Sequence, residues 1–203
     1  RAQVPGENIG LHGNNKSEAE IARAIRNGLG RVVADSVDEL KLIERVYAEL
    51  AAERVAEGEE PYAPVPVLIR ITPGVHASTH ESIATAHEDQ KFGMSLQPGT
   101  AALAGLEEEE LEHWGVEATD SYAALAAAIL NATDSLDFRG IHCHIGSQIF
   151  EAEGFEQAAT TALEFMNRLN RDLGVTLPEL DLGGGYGIGY TEADHPRSIT
   201  EVT

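Results

Sequence analysis

Cysteine and positive charge are both scarce in this chain. A single cysteine, Cys143, stands among 203 residues. It excludes an internal disulfide and fits a reducing cytoplasm. Fourteen Lys and Arg face 34 Asp and Glu, a formal net charge of −20. Such a balance argues against nucleic acid and against anionic membranes as partners. It favours a small-molecule or protein partner. No apolar run is long enough to span a bilayer, and no signal peptide is recognisable. The acidic runs Glu57-Gly58-Glu59-Glu60 and Glu107-Glu108-Glu109-Glu110 read as solvated faces or loops.

The length suffices for one domain, residues 1–203, with a sizeable core. The first residues form a polar segment containing Pro and Gly. The last follow a helix-start signal, Ser198-Ile199-Thr200-Glu201. Both ends read as cut from something longer.

Strand-like and helix-like segments alternate between them. Ile9 to Gly13 reads as a short strand. Ser17 and Glu20 form a capping box for a helix that Gly28 ends, with Ile21, Ala22 and Ile25 as its buried stripe. A second strand, Arg31 to Asp35, precedes a second box, Ser36 with Glu39. The helix behind that box buries Val37, Leu40, Ile43, Val46, Tyr47 and Leu50. Val65 to Ile71 is nearly continuous in apolar residues, as in a parallel sheet covered on both faces. From Thr72 to Pro98 no period is visible, and the segment reads as a loop rich in His, Ser, Thr and Gly. Helical patterns follow at Thr100–Trp114 and Asp120–Asn131. Phe138 to Ile145 is a fourth strand. Gly154 to Leu173 is an amphipathic helix closed by Gly174, and Pro178 to Leu182 is the fifth strand. Repeated strand–helix units imply a parallel α/β sheet, either doubly wound or a (β/α)8 barrel. Five units cannot close eight strands.

The fifth strand runs into Gly183-Gly184-Gly185. Without Cβ atoms the backbone there can turn sharply and turn its N–H groups toward an anion, most often a phosphate. A flexible surface loop is the plain alternative. The run fails the dinucleotide spacing G-x-G-x-x-G, because Ile188 and Tyr190 fall where the last glycine is required. His12-Gly13-Asn14-Asn15-Lys16-Ser17 likewise fails as a nucleotide P-loop, since Asn15 stands in place of the glycine before the lysine.

Strand alternation places His142 and His144 on one face and Cys143 on the other. His144 lies nearer the strand's C-terminal end, where parallel α/β folds keep their active sites, and Ser147 adds a hydroxyl close by. Three readings stay open. The pair can ligate a metal, with His12 as a further ligand, in a metal-dependent hydrolase. One imidazole can lie on a cofactor ring or move protons. Either can be a hydrogen-bonded core residue. Arg70 and Lys91 are surface or salt-bridged cations unless a ligand recruits them. His76, His80 and His87 are loop residues to which spacing assigns no role.

Taken together, the motifs resemble the diaminopimelate decarboxylases within the alanine-racemase-like, fold type III family of pyridoxal-phosphate (PLP) enzymes. The pieces stand in the family's order. They are Leu11-His12-Gly13-Asn14-Asn15-Lys16-Ser17, Ala34-Asp35-Ser36-Val37-Asp38-Glu39-Leu40, Leu68-Ile69-Arg70-Ile71 and Gln90-Lys91-Phe92-Gly93. Gly140-Ile141-His142-Cys143-His144-Ile145-Gly146-Ser147-Gln148 and Leu180 to Gly187 complete them. The His-Gly-Asn-Asn-Lys-Ser piece points to the diaminopimelate branch rather than to ornithine or arginine decarboxylases.

The resemblance implies an incomplete (β/α)8 TIM barrel, about strands three to seven, with the family's C-terminal β domain absent. It puts His144 against the PLP ring as the catalytic and cofactor-binding residue. It implies Ser147, Gly183, Gly184, Gly185 and Arg70 as the other cofactor contacts. It implies that the family's covalent anchor lysine precedes Arg1 and that a Glu-Pro-Gly-Arg segment follows Thr203. Lys16 and Lys91 occupy other motif positions. For the complete enzyme the implied reaction is decarboxylation of meso-2,6-diaminopimelate to L-lysine in a cytoplasmic homodimer. This chain by itself is then expected to be inactive, with exposed sheet edges and apolar helix faces.

Overall fold

Short apolar segments spaced along the chain align side by side as parallel strands. The computed structural model describes residues 3–74, 92–190 and the single positions 196, 198 and 200. Its strands are β1 (Gly10–Leu11), β2 (Arg31–Ala34), β3 (Val65–Thr72), β4 (Met94–Ser95), β5 (Leu136–His142) and β6 (Glu179–Asp181). The sheet order is β1-β2-β3-β5-β6, with β4 paired beside the end of β3. Every pairing among them is parallel. The helices are α1 (Glu18–Arg26), α2 (Val37–Ala56), α3 (Glu108–His113), α4 (Tyr122–Asn131) and α5 (Glu153–Leu173). Strands in chain order with helical returns make an arc of a (β/α)8 barrel, as expected.

The two faces of the arc differ in chemistry. Val32, Ala34, Val67, Ile69, Ile71, Ile141 and Cys143 face the helices and share one core with Ile21, Leu40, Ile43, Leu125, Phe155 and Phe165. The opposite face is the inside of the barrel. Leu68 pairs there with Val33 and Gly140, and Gly140 pairs with Glu179. One step nearer the strands' C-terminal ends, Arg70 pairs with His142 and His142 with Asp181. The inner face thus gathers Arg70, His142 and Asp181 in one layer at the strands' C-terminal ends.

A bulge makes that arrangement possible. Val67 pairs with Phe138 but Leu68 pairs with Gly140, so Arg139 is the extra residue. Alternation reverses across a bulge. Phe138 therefore faces the helices while Gly140 and His142 face inward. Gly140 fits because a Cβ there would fall 1.9 Å from the Glu179 carbonyl oxygen.

Several local expectations hold. Ser17 and Glu20 form a reciprocal capping box on α1, and Gly28 follows that helix at φ +58°. Gly174 closes α5 in the left-handed conformation. Residues of both acidic runs are exposed. Other expectations need correction. Ser36 accepts the Glu39 N–H, but the Glu39 carboxylate does not return to the cap. It is buried and bonds the Lys16 ammonium instead, because an unpaired buried cation costs far more than a missing cap. The pattern over Thr100–Trp114 is not one helix. A 3-10 turn at Ala101–Ala104 ends at left-handed Gly105, and Glu107 caps α3 afresh. The strand expected over Phe138–Ile145 stops at His142. Tyr47 is half-buried and donates its hydroxyl to the Tyr62 carbonyl. His76, His80, His87, Gln90 and Lys91 lie outside the described residues, and of the helix-start signal only Ser198 and Thr200 are described. Among the described residues no helix is long and apolar enough to cross a membrane.

Candidate functional site

The polar end of the inner face opens into a hollow of about 390 Å³ lined by His12, Arg70, His142, His144, Asp181, Gly183 and Gly184. Each comes from the C-terminal end of a strand or the turn after it, where parallel barrels hold their chemistry. A second hollow of about 250 Å³ opens at the other end of the strands, near Leu29, Val32, Tyr62 and Pro64. Its lining is mainly apolar and brings no cluster of ionisable groups together.

His142 is 4% exposed, and its Nδ1 has no hydrogen-bond partner. Its ring meets that of His12 edge to face at 5.0 Å. Burial pushes the His142 imidazole down to about 4, against the opposing pull of Asp181, so it is neutral near pH 7. Burial and the Arg70 charge also lower His144. Neutral His144 accepts the Gly184 N–H at Nδ1, 3.3 Å away, which leaves the ring proton on Nε2. Between the histidines, Cys143 turns into the helix-side core. Burial pushes its thiol up to about 12, so it is not a nucleophile at neutral pH.

The glycine loop is built around the His144 ring. At Gly183, φ is +72°, and a Cβ would fall 2.7 Å from His144 Nδ1 and 2.6 Å from the Cys143 carbonyl oxygen. The Gly183 N–H donates to Asp181 Oδ1 at 2.8 Å. At Gly184 nothing lies within 4 Å of where a Cβ would stand, so this residue borders open space. Gly185 rests on the turn after His144, where a Cβ would fall 1.9 Å from the Gly146 carbonyl oxygen. Its own carbonyl accepts the Ile149 N–H. Exposed Ser147 lies beside this contact, not on the lining of the hollow. Gln148, at φ +58°, fastens the far side of the loop with two amide bonds to the Ile188 backbone.

Arg70 supplies the hollow's cation. Its Nη1 lies 3.4 Å from Asp35 Oδ1, and its guanidinium stands 5.2 Å from the Phe92 ring centre. Burial pushes the Asp35 carboxyl upward, although the Gly93 N–H and Arg70 pull it the other way. Lys16 lies outside the hollow. Its ammonium donates to the carbonyls of Gly13 and Val33 and to Glu39 Oε2. With all three protons engaged it is a tie between two turns, not a free amine.

The arrangement therefore brings the predicted residues His144, Arg70, Gly183 and Gly184 to one hollow, with Gly185 and Ser147 just behind them. Asp181 and Asp35 were missed. Their signal was a carboxylate at the C-terminal end of a strand. Among the described residues no three His, Cys, Asp or Glu side chains converge to hold a metal ion, so His142 and His144 lack a third ligand. Neutral imidazole, a cation and a glycine turn around open space suit a planar ligand that carries an anionic tail.

Comparisons with known proteins agree with the geometry. Residues 1–118 and 107–203 match the family model described as pyridoxal-dependent decarboxylase, pyridoxal binding domain. The chain is 46% identical over 201 residues to a diaminopimelate decarboxylase of Corynebacterium efficiens, covering 99% of this chain and 37% of that protein. It is 38% identical over 205 residues to the diaminopimelate decarboxylase of Mycobacterium bovis, covering 99% of this chain and 38% of that one. A crystal structure of diaminopimelate decarboxylase from Helicobacter pylori, complexed with L-lysine, superposes with a TM-score of 0.74 at 25% identity, over 98% of this chain and 41% of that one. The chain thus spans well under half the length of the relatives it matches.

Proposed function

The chain belongs to the pyridoxal-dependent decarboxylases through their pyridoxal-binding domain, and from that premise we propose that it forms the cofactor-binding arc of a diaminopimelate decarboxylase. The reaction proposed for the protein carrying it is loss of carbon dioxide from meso-2,6-diaminopimelate to give L-lysine. Identity of 46% to a relative of that name supports the choice within the family. The observation that carries the proposal is the convergence of His144, Arg70, Gly183 and Gly184 on one hollow at the strands' C-terminal ends.

Bound PLP would supply an electron sink for the charge left when a carboxylate departs. The chain's own residues bind and orient it. His144, whose Nδ1 accepts the Gly184 N–H in this structure, would present its ring to the flat face of the cofactor. The amides of Gly184 and Gly185, with the Ser147 hydroxyl, would take the phosphate, so that a chain of net charge −20 would grip an anion with main-chain dipoles. Arg70 supplies a guanidinium among the hollow's lining residues. Residues 1–203 act as part of one PLP-binding barrel domain, in a cytoplasmic protein that works as a homodimer.

Equilibrium dialysis against PLP tests the reading. The chain is expected to retain PLP, and His144→Ala is expected to weaken retention by about 1 kcal/mol, roughly fivefold, through loss of ring contact. Binding unaffected by the substitution contradicts the assignment of His144.

A further inference from the structure

We propose that Asp35 is the positioning residue for Arg70, and that the buried Lys16–Glu39 pair holds Asp35 in place. The inference rests on the PLP reading of the hollow and names a residue which that reading does not include.

Arg70 extends a long side chain from β3 and needs something to aim it. Two contacts do so, the Asp35 carboxylate at 3.4 Å and the Phe92 ring at 5.2 Å. Asp35 is itself fixed from both ends. Its Oδ2 accepts the Gly93 N–H at 3.2 Å, one residue beyond Phe92. Its main-chain N–H donates to Glu39 Oε2 at 2.8 Å. Glu39 is 6% exposed, and the same oxygen accepts the Lys16 ammonium at 2.8 Å, while Oε1 accepts the Lys16 N–H at 3.3 Å. A continuous line of bonds thus runs from the turn after β1 to the cation of the hollow.

The chemistry of the line is hard to explain as fold maintenance alone. Two carboxylates and two cations, all largely buried, occupy ground where apolar side chains would pack at no desolvation cost. The far end of the line faces the ligand space. A guanidinium aimed before the ligand arrives spares the ordering entropy of a free arginine, and that saving appears directly as affinity. Asp35 touches no ligand in this account and acts only through Arg70.

A double-mutant cycle read by equilibrium dialysis of PLP on the whole chain tests this. Arg70→Gln is expected to weaken binding, and Asp35→Asn is expected to weaken it on the order of tenfold. The double variant is expected to bind no worse than Arg70→Gln alone, because Asp35 has nothing left to aim. A merely structural role would add its full loss in the double variant, and that result overturns the proposal. So does Asp35→Asn with native affinity. Should Asp35→Asn fail to melt cooperatively, Asp35→Glu keeps the charge but changes its reach, and the same non-additivity with Arg70→Gln is required of it. Native chain that retains no PLP overturns the cofactor reading and this inference with it. Native chain that retains PLP regardless of Arg70→Gln overturns this inference alone.

Discussion

His142 shows how much a single buried atom can reveal. Its Nδ1 is sealed from solvent with no partner among the described residues, a condition that costs about 1–3 kcal/mol in a folded protein. The ring also has to stay neutral. Its folded value near 4 lies below the ordinary 6.5 of the unfolded chain. The stabilising contribution is therefore complete above pH 6.5 and is lost as the pH falls toward 4, up to about 3 kcal/mol in all. Denaturant melts at pH 7.5 and pH 4.5 check this against His142→Gln. The native chain should lose more stability across that interval than the variant, and equal losses would show that His142 titrates normally. The sequence allowed three readings of the His142–His144 pair because spacing alone does not report burial. Lys16 was excluded as a P-loop lysine and as the covalent anchor, but spacing did not show what it does. Only its three acceptors show that it ties turns together.

At the scale of elements, what was legible depended on whether a signal was local. The Ser17–Glu20 box, the left-handed glycine after α5 and the apolar stripe of that helix all act within a few residues and stand where expected. Glu39 carries the same capping signal but answers to Lys16, 23 residues away. No local rule contains that partner. The bulge at Arg139 was also invisible, since it exists only as a mismatch between two strands. It nonetheless decides the site, because plain alternation would put Phe138 and His142 on one face. The glycine triplet was legible as a turn. Its tight fit was not, and the contact of Gly185 with the turn at Gly146 is a tertiary fact. Gly185→Ala must place a methyl group 1.9 Å from a carbonyl oxygen at φ +102°. The expected loss is about 3 kcal/mol, roughly 10 °C in melting temperature. A melt within a degree or two of the native chain would mean that the two turns separate easily.

At the scale of the whole molecule, the arc divides its labour between two faces. The helix side holds an apolar core that includes Cys143. The barrel side collects Arg70, His142 and Asp181 at adjacent register positions, with His144 and the glycine turn above them. The strand–helix alternation made this architecture readable, because a parallel sheet repeats one pattern at every strand. The resemblance to the decarboxylases rested on motifs scattered from Leu11 to Gly187, and the fold brings His12, Arg70, His144 and Gly184 from four of them to one hollow. The most direct test of the account is a crystal structure of the chain with PLP bound. The account predicts the phosphate within hydrogen-bond distance of the Gly184 and Gly185 amides and the pyridine ring lying against the His144 imidazole. A phosphate held elsewhere, or a ring turned away from His144, would contradict it.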